Sequence, residues 1–335
     1  MKKIHFLSIL LALLLLSGCA SGAVDAGTLP QPGSRLVVYT SHKEEVYRPI
    51  IREFEERTGI WVELVTGGSN ELLQQLEAEK DNPKADVMFG GGVESLESYR
   101  HLFRAVRRGE SDAVTASLRQ SEDSWAPFSA LPVVLIYNTK LVDPACLAGW
   151  EDLLRPEFAG KIAFADPAKS ASSFTALVTA RYACGDEILE ALPAQLEGRQ
   201  LDSSGDVLSA VADGTYLVGI TLEETAMQRI AAGDNLAIVY PKEGTSCVPD
   251  GTAVVLGAPH EENAVAFLDF TLSEAVQQLL GSRFYRRAVR DGVDAPEALP
   301  TLEDMALVRY DDAWAAENRD DILARWNDKM QEAAK

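Results

Sequence analysis

Thr40-Ser41-His42, Gly67-Gly68-Ser69 and Gly90-Gly91-Gly92 share a pattern: each closes an apolar run with small or polar residues just before a helical one. At such junctions of an open α/β sheet, free backbone N–H groups and the positive end of a helix dipole face a crevice, and glycine lets a ligand come close to the main chain. Each taken singly is also an ordinary tight turn. The stretch "DPAKSASSFTAL" (166–177) adds Ser170, Ser172 and Ser173 at a helix start. Hydroxyls and unpaired amides together suit phosphate or carboxylate oxygens there, and a plain serine cap is the simpler reading. Glu223 and Glu224 open a later helix, a charge placement the dipole alone favours. The candidate site is therefore Thr40, Ser41, His42, Gly68, Ser69, Gly91, Gly92, Ser170, Ser172, Ser173, Glu223 and Glu224, and its chemistry is reversible binding of a small anion.

Signals of catalysis are missing from the sequence. There is no GxSxG, HExxH, GxxxxGK[ST] or SxxK, and His42, His101 and His260 are scattered without metal-ligand spacing. A general acid or base at Glu223 or Glu224 beside Ser173 is the remaining enzymatic reading. No cofactor and no metal are expected.

The elements that must position these residues alternate. "RLVVYTS" (35–41) is a β-branched run, and the helix after it puts Val46, Ile50, Ile51 and Phe54 on one face before Gly59. Strands at "IWVELV" (60–65) and "ADVMFGGG" (85–92) flank a helix at "ELLQQLEAEK" (71–80). After "LPVVLIYNTKLV" (131–142), an almost continuous apolar strand, the rhythm restarts with "KIAFADP" (161–167), the serine-led helix, "DVLSAVADG", and "YLVGIT" (216–221) before "LEETAMQRIAAG". Two strands about a turn-rich stretch follow at 235–257, then helices to the end. Such alternation predicts parallel sheet with helices on its faces, an α/β fold.

Lys2 and Lys3 precede an uncharged run from Ile4 to Leu16, which is shorter than the roughly 20 residues of a membrane span and reads as an export signal. Leu16-Ser17-Gly18-Cys19 resembles the lipobox of bacterial lipoproteins. That resemblance implies a lipoprotein signal peptide over 1–18, acylation of the Cys19 thiol by a palmitate-like chain, and a flexible tether over 19–33. Removing residues 1–18 leaves 29 basic against 51 acidic residues, a net charge of -22. Such a chain will not coat nucleic acid, and any anion must be held by local geometry. An exported chain admits one disulfide; Cys146 with Cys184 is the expected pair, and three unpaired thiols are the alternative.

"LVVYTSHKEEVYRPIIREFEERTGIWVELVTGGSNELLQQL", "ADVMFGGG", "LPVVLIYNTKLV", "FAGKIAFADPAKSASSFTALV" and "PDGTAVVLGAPHEENAVAFLDFTLS", in that order, resemble the extracellular solute-binding proteins of ABC transporters from about Arg35 to Val293. Within that family the resemblance is to the ferric-ion-binding group and its relatives for hexose phosphates, phosphoglycerate or aminoethylphosphonate. It implies a two-lobed type 2 periplasmic-binding-protein fold with a ligand cleft between the lobes, lobe 1 being 34–130 and 249–335 and lobe 2 being 131–248. "VVLIYN" and "AIVYPKEG" would be the crossings. Iron-binding members usually carry two adjacent tyrosines where this chain has Thr221-Leu222-Glu223-Glu224-Thr225. The two carboxylates suit either ferric ion or sugar hydroxyls. Arg286 and Arg287, in "SRFYRRAVR", could reach a phosphate, but an ion-pair role on a lobe surface or between the lobes is the preferred reading and they are left outside the site. The resemblance thus implies an exported monomer, lipid-anchored at the outer face of the cytoplasmic membrane. It would capture a hexose phosphate or other organophosphate and pass it to an ABC permease with its ATPase. A ferric-ion binder of the same fold, or a subunit presenting ligand to a membrane sensor kinase, are the alternatives.

Overall fold

The computed structural model describes residues 32–106, 109–119, 124–296 and 299–335. Cys19, the signal segment and nearly all of the tether lie outside them. Strand β1 (Arg35–Thr40) carries the first β-branched run and leads to helix α1 (Glu44–Thr58). Val46, Ile50, Ile51 and Phe54 are buried on one face of α1, and Gly59 ends the helix in the left-handed region at φ 70°. Next come β2 (Trp61–Thr66), α2 (Ser69–Glu79), β3 (Val87–Gly92) and the short α3 (Val93–Ser98). β1 lies between β2 and β3, parallel to both. α1 and α2 are therefore crossovers between parallel strands, and all three helices start at the same end of the strands.

Strand β4 (Ala126–Asn138) is buried at every position, which is why its sequence is apolar without alternation. It starts earlier than the sequence suggested and stops at Asn138, whose side chain accepts from Lys140 N at 2.9 Å and donates to Val211 O at 2.8 Å. β5 (Ile162–Ala163), α4 (Ala171–Cys184), α5 (Ile188–Gln195), α6 (Ser204–Ala212), β6 (Val218–Leu222), α7 (Glu223–Ala231) and β7 (Leu236–Val239) follow. The chain then returns through β8 (Cys247–Val254) to α8 (Glu261–Thr271), α9 (Glu274–Phe284), β9 (Arg287–Ala288), α10 (Asp312–Glu317) and α11 (Arg319–Ala333). The sheet order is β2-β1-β3-β8-β4-β6-β5. Ala126 to Pro132 of β4 pair with β8, whereas Val133 to Asn138 pair with β6 and β7. One strand thus runs out of one half of the molecule into the other.

Each half has its own core. Phe54, Phe89, Phe128 and Phe267 gather in the first half, and Trp150, Phe158, Phe164 and Phe174 in the second. The C-terminal helix corrects the expected division. Ile322, Trp326 and Met330 of α11 pack into the second core, not the first. These residues, four apart, make one apolar stripe, and each such side chain is worth about 1.5–3 kcal/mol when buried. Trp326 Nε1 also donates to Gln200 Oε1 at 3.1 Å.

The expected disulfide is absent. Cys146, Cys184 and Cys247 are free thiols. Burial pushes Cys184 up to about 11, helped by Glu243 and Glu151, and pushes Cys247 up to about 12. The thiolate that disulfide exchange requires is therefore disfavoured at both.

Candidate functional site

A cavity of about 560 Å³ opens between the two halves. From the first half come Ser41 and His42 after β1, Gly68 to Glu71 at the start of α2, and Gly91 and Gly92 at the end of β3. From the second come Lys169 to Ser172 and Thr175 at the start of α4, Asp202 to Ser204 at the start of α6, and Leu222. Leu131 of β4, Val248, Pro249 and Asp250 of β8, and Arg286 complete the wall.

Of the residues singled out in the sequence, Ser41, His42, Gly68, Ser69, Gly91, Gly92, Ser170 and Ser172 come together on this wall. Thr40, Ser173, Glu223 and Glu224 do not line it. Thr40 is fully buried and its Oγ1 donates to Phe89 O at 2.8 Å, fastening β1 to β3. Ser173 is turned into the helix start, its Oγ donating to Ser170 Oγ at 3.1 Å. Ser170 itself is the N-cap of α4 and accepts from Ser173 N at 3.3 Å. Gly90 and Gly91 hold φ of 105° and 110°, a region open to glycine, and a Cβ on Gly90 would lie 2.6 Å from Ser41 Oγ. The glycine run therefore serves the sharp strand end and the close fit of the Ser41 loop as well as the cavity.

The two glutamates are held from behind. Both oxygens of Glu223 accept from Arg287, Nε at 2.9 Å and Nη2 at 2.8 Å, and Oε2 also accepts from Tyr240 at 2.6 Å. Burial and the neighbouring Glu223 raise the Tyr240 phenol far above its ordinary value, so it stays a donor. Arg286 Nη1 donates to Asp250 Oδ2 at 2.6 Å, and its Nη2 reaches Glu224 at 3.4 Å. Burial opposes the charge of Arg286, but Glu224 and Asp250 outweigh it and hold the guanidinium above its usual pKa. The negative start of α7 is thus neutralised within the protein. The sequence reading assigned Arg286 and Arg287 to ion pairs, and both make them, but Arg286 also reaches the cavity.

His42 is buried with its Nδ1 3.7 Å from Asp250 Oδ2. Burial pushes it down to about 4, with Asp250 opposing and Arg286 assisting, so the ring is neutral at physiological pH. Near the cavity, Glu94 of α3 accepts from Thr175 Oγ1 at 3.0 Å and from Tyr310, tying the two halves together. Burial raises the Glu94 carboxyl above its ordinary value.

Ser203 and Ser204 were not singled out, yet they repeat the Ser170 arrangement. Ser203 caps α6, accepting from Asp206 N at 3.2 Å. The signal was present in "DSSGDVLSAVADG", a serine pair before a periodic apolar run. Lys169 had no such signal; it lies between these two helix starts, paired with Asp202.

The sequence model for bacterial extracellular solute-binding proteins matches residues 36–286. This chain belongs to that family. The solute-binding protein is 27% identical over 298 residues to the iron uptake protein A1 of Synechocystis sp., covering 83% of this chain and 82% of that one. It is 25% identical over 250 residues to a Salmonella paratyphi A periplasmic protein provisionally named for 2-aminoethylphosphonate binding, covering 72% and 73% of the two. Its fold superposes on the periplasmic binding protein AfuA of Actinobacillus pleuropneumoniae, solved with exogenous fructose-6-phosphate, at a TM-score of 0.80 and 24% identity over 89% of this chain and 98% of the other. The solute-binding protein therefore has the type 2 periplasmic-binding-protein fold, and its family works in ABC transport outside the cytoplasm.

Proposed function

We propose that this protein captures a small organophosphate, such as a hexose phosphate, and delivers it to an ABC permease without chemical change. The observation that carries the reading is the meeting of the α4 and α6 starts, each capped by a serine, with Lys169 in one interlobe cavity. Unpaired amides, hydroxyls and a lysine are what phosphate oxygens need when the protein as a whole is strongly acidic. The two lobes close on the ligand, and its contacts to both favour the closed form.

The iron reading, which the name of the Synechocystis relative invites, has less support. Where iron binders of the family carry tyrosines, Glu223 and Glu224 are engaged by arginines. Among the described residues, no group of three His, Cys, Asp or Glu side chains is arranged to hold a metal ion. Attachment to the membrane through a lipid on Cys19 belongs to the same proposal. Among the described residues no helix is long and apolar enough to cross a membrane. Cys19→Ala should accordingly release the protein from washed membranes, and its retention there would remove the anchor from the account.

Native mass spectrometry of gently purified protein tests the ligand class. A co-purified phosphorylated small molecule is the expected result, and bound iron without one would contradict it.

A further inference from the structure

Arg286 uses its guanidinium unevenly. Its side chain is only 9% exposed and lines the cavity. Nη1 is fully occupied, donating to Asp250 Oδ2 at 2.6 Å and to Ser129 Oγ at 2.9 Å. Nη2 has only the 3.4 Å contact with Glu224, and Nε, although buried, has no partner. Nε–H and the neighbouring Nη2–H form the edge with which arginine grips oxygen through two parallel bonds. Leaving such a donor unpaired inside a protein is costly, so an unpaired Nε on a side chain that lines the cavity calls for an acceptor supplied from outside.

Charge decides which acceptor fits. Asp250 and Glu224 already flank this one cation, and a second anion at the same edge would meet two carboxylates. A neutral oxygen meets no such repulsion. If it belongs to a hydroxyl, its hydrogen also finds an acceptor, because Asp250 lines the same wall. On the opposite side Lys169 is also paired, with the exposed Asp202, but there the serine-capped starts of α4 and α6 add backbone N–H groups and hydroxyls suited to the charged group.

We propose that Arg286 is a specificity-determining residue that takes a hydroxyl or carbonyl oxygen at the uncharged end of the ligand, while the phosphate lies at the α4 and α6 starts. This rests on the organophosphate reading and adds a polarity to it. The cavity then selects a phosphorylated polyol over inorganic phosphate, and over a molecule with anionic groups at both ends.

The test is calorimetric titration of the full chain and its Arg286→Lys variant with glucose 6-phosphate, inorganic phosphate and fructose 1,6-bisphosphate. Lysine keeps a cation between Asp250 and Glu224 but lacks the two-donor edge. The wild-type protein should bind glucose 6-phosphate about tenfold or more tighter than either other probe. Arg286→Lys should weaken glucose 6-phosphate by roughly 10- to 100-fold and leave inorganic phosphate unchanged, so that the preference between the two collapses. Equal weakening of both probes would make Arg286 a merely structural residue, and unaltered glucose 6-phosphate binding, or tight binding of the bisphosphate, would also overturn the proposal. Should the lysine variant fail to fold, the wild-type order among the three probes still decides. If no organophosphate binds the wild-type protein, the functional reading itself fails; if organophosphates bind without these preferences, only the role of Arg286 does.

Discussion

The starts of α4 and α7 follow the same local plan and have opposite fates. Both come after a strand of the second half, both carry polar residues in the first turn, and both read from sequence as ligand-facing. At α4 the side chains bond among themselves, Ser170 to Ser172 and Ser173 to Ser170, both at 3.1 Å, and the start still lines the cavity. At α7 the carboxylates are claimed by two arginines that follow α9 in the chain. The carboxylates of a helix start are therefore available to a solute only where no arginine from another element has already taken them. Availability is a property of the tertiary structure, and the local residue pattern does not report it.

Breaking the claim on α7 should have the largest effect. Glu223 is fully buried, so Arg287→Ala would leave it without its cation, at a cost of about 3–5 kcal/mol in urea unfolding. Replacing the pair together, as Glu223→Leu with Arg287→Met, should recover most of that loss. If the single variant unfolds at the wild-type midpoint, the pair is not what holds α7 in place.

Next in size is a pH effect at the cavity wall. His42 lies at about 4 in the folded protein, against an ordinary value near 6.5 when unfolded. Between those values the unfolded chain binds the extra proton. Stability therefore falls as pH drops from 6.5 towards 4, by up to about 3 kcal/mol. His42→Gln should remove that part of the slope in denaturation curves taken across the window. A slope identical to that of the wild-type protein would mean the ring is not held neutral.

The local plan at α4 supplies the smallest effect. Ser170→Ala should cost about 1 kcal/mol through the lost cap. Leu222, at the corresponding position of α7, makes no side-chain cap bond and instead packs against the second core. A Ser170→Ala variant that unfolds at the wild-type midpoint would show that the cap contributes nothing at α4.

How much of this was legible follows from the range of each interaction. The strand and helix order from β1 to α3 was readable, because periodicity and capping act within a few residues. Ser170 and Ser172 were found on the same grounds, and Ser203 and Ser204 were findable. The partners of Glu223 and Glu224 were not, since Arg286 and Arg287 lie about sixty residues further on and nothing local marks which acid they meet. The apolar stripe of α11 shows in the sequence, but a stripe does not name the core it will cover, and it covers the second half's. Cys146 and Cys184 are free thiols, and export alone, which prompted the expected pair, says nothing of the geometry a disulfide needs.

The central claim is that the α4 and α6 starts hold the charged end of an organophosphate while α7 takes no part. Titrating glucose 6-phosphate into the wild-type protein and into a Ser172→Ala/Ser204→Ala double variant, two residues that line the cavity, tests it most directly. Saturable binding by the wild-type protein, weakened about tenfold or more in the double variant, is the predicted result. Equal affinity in the two proteins, or no binding of the sugar phosphate beside tight uptake of ferric ion, would contradict it.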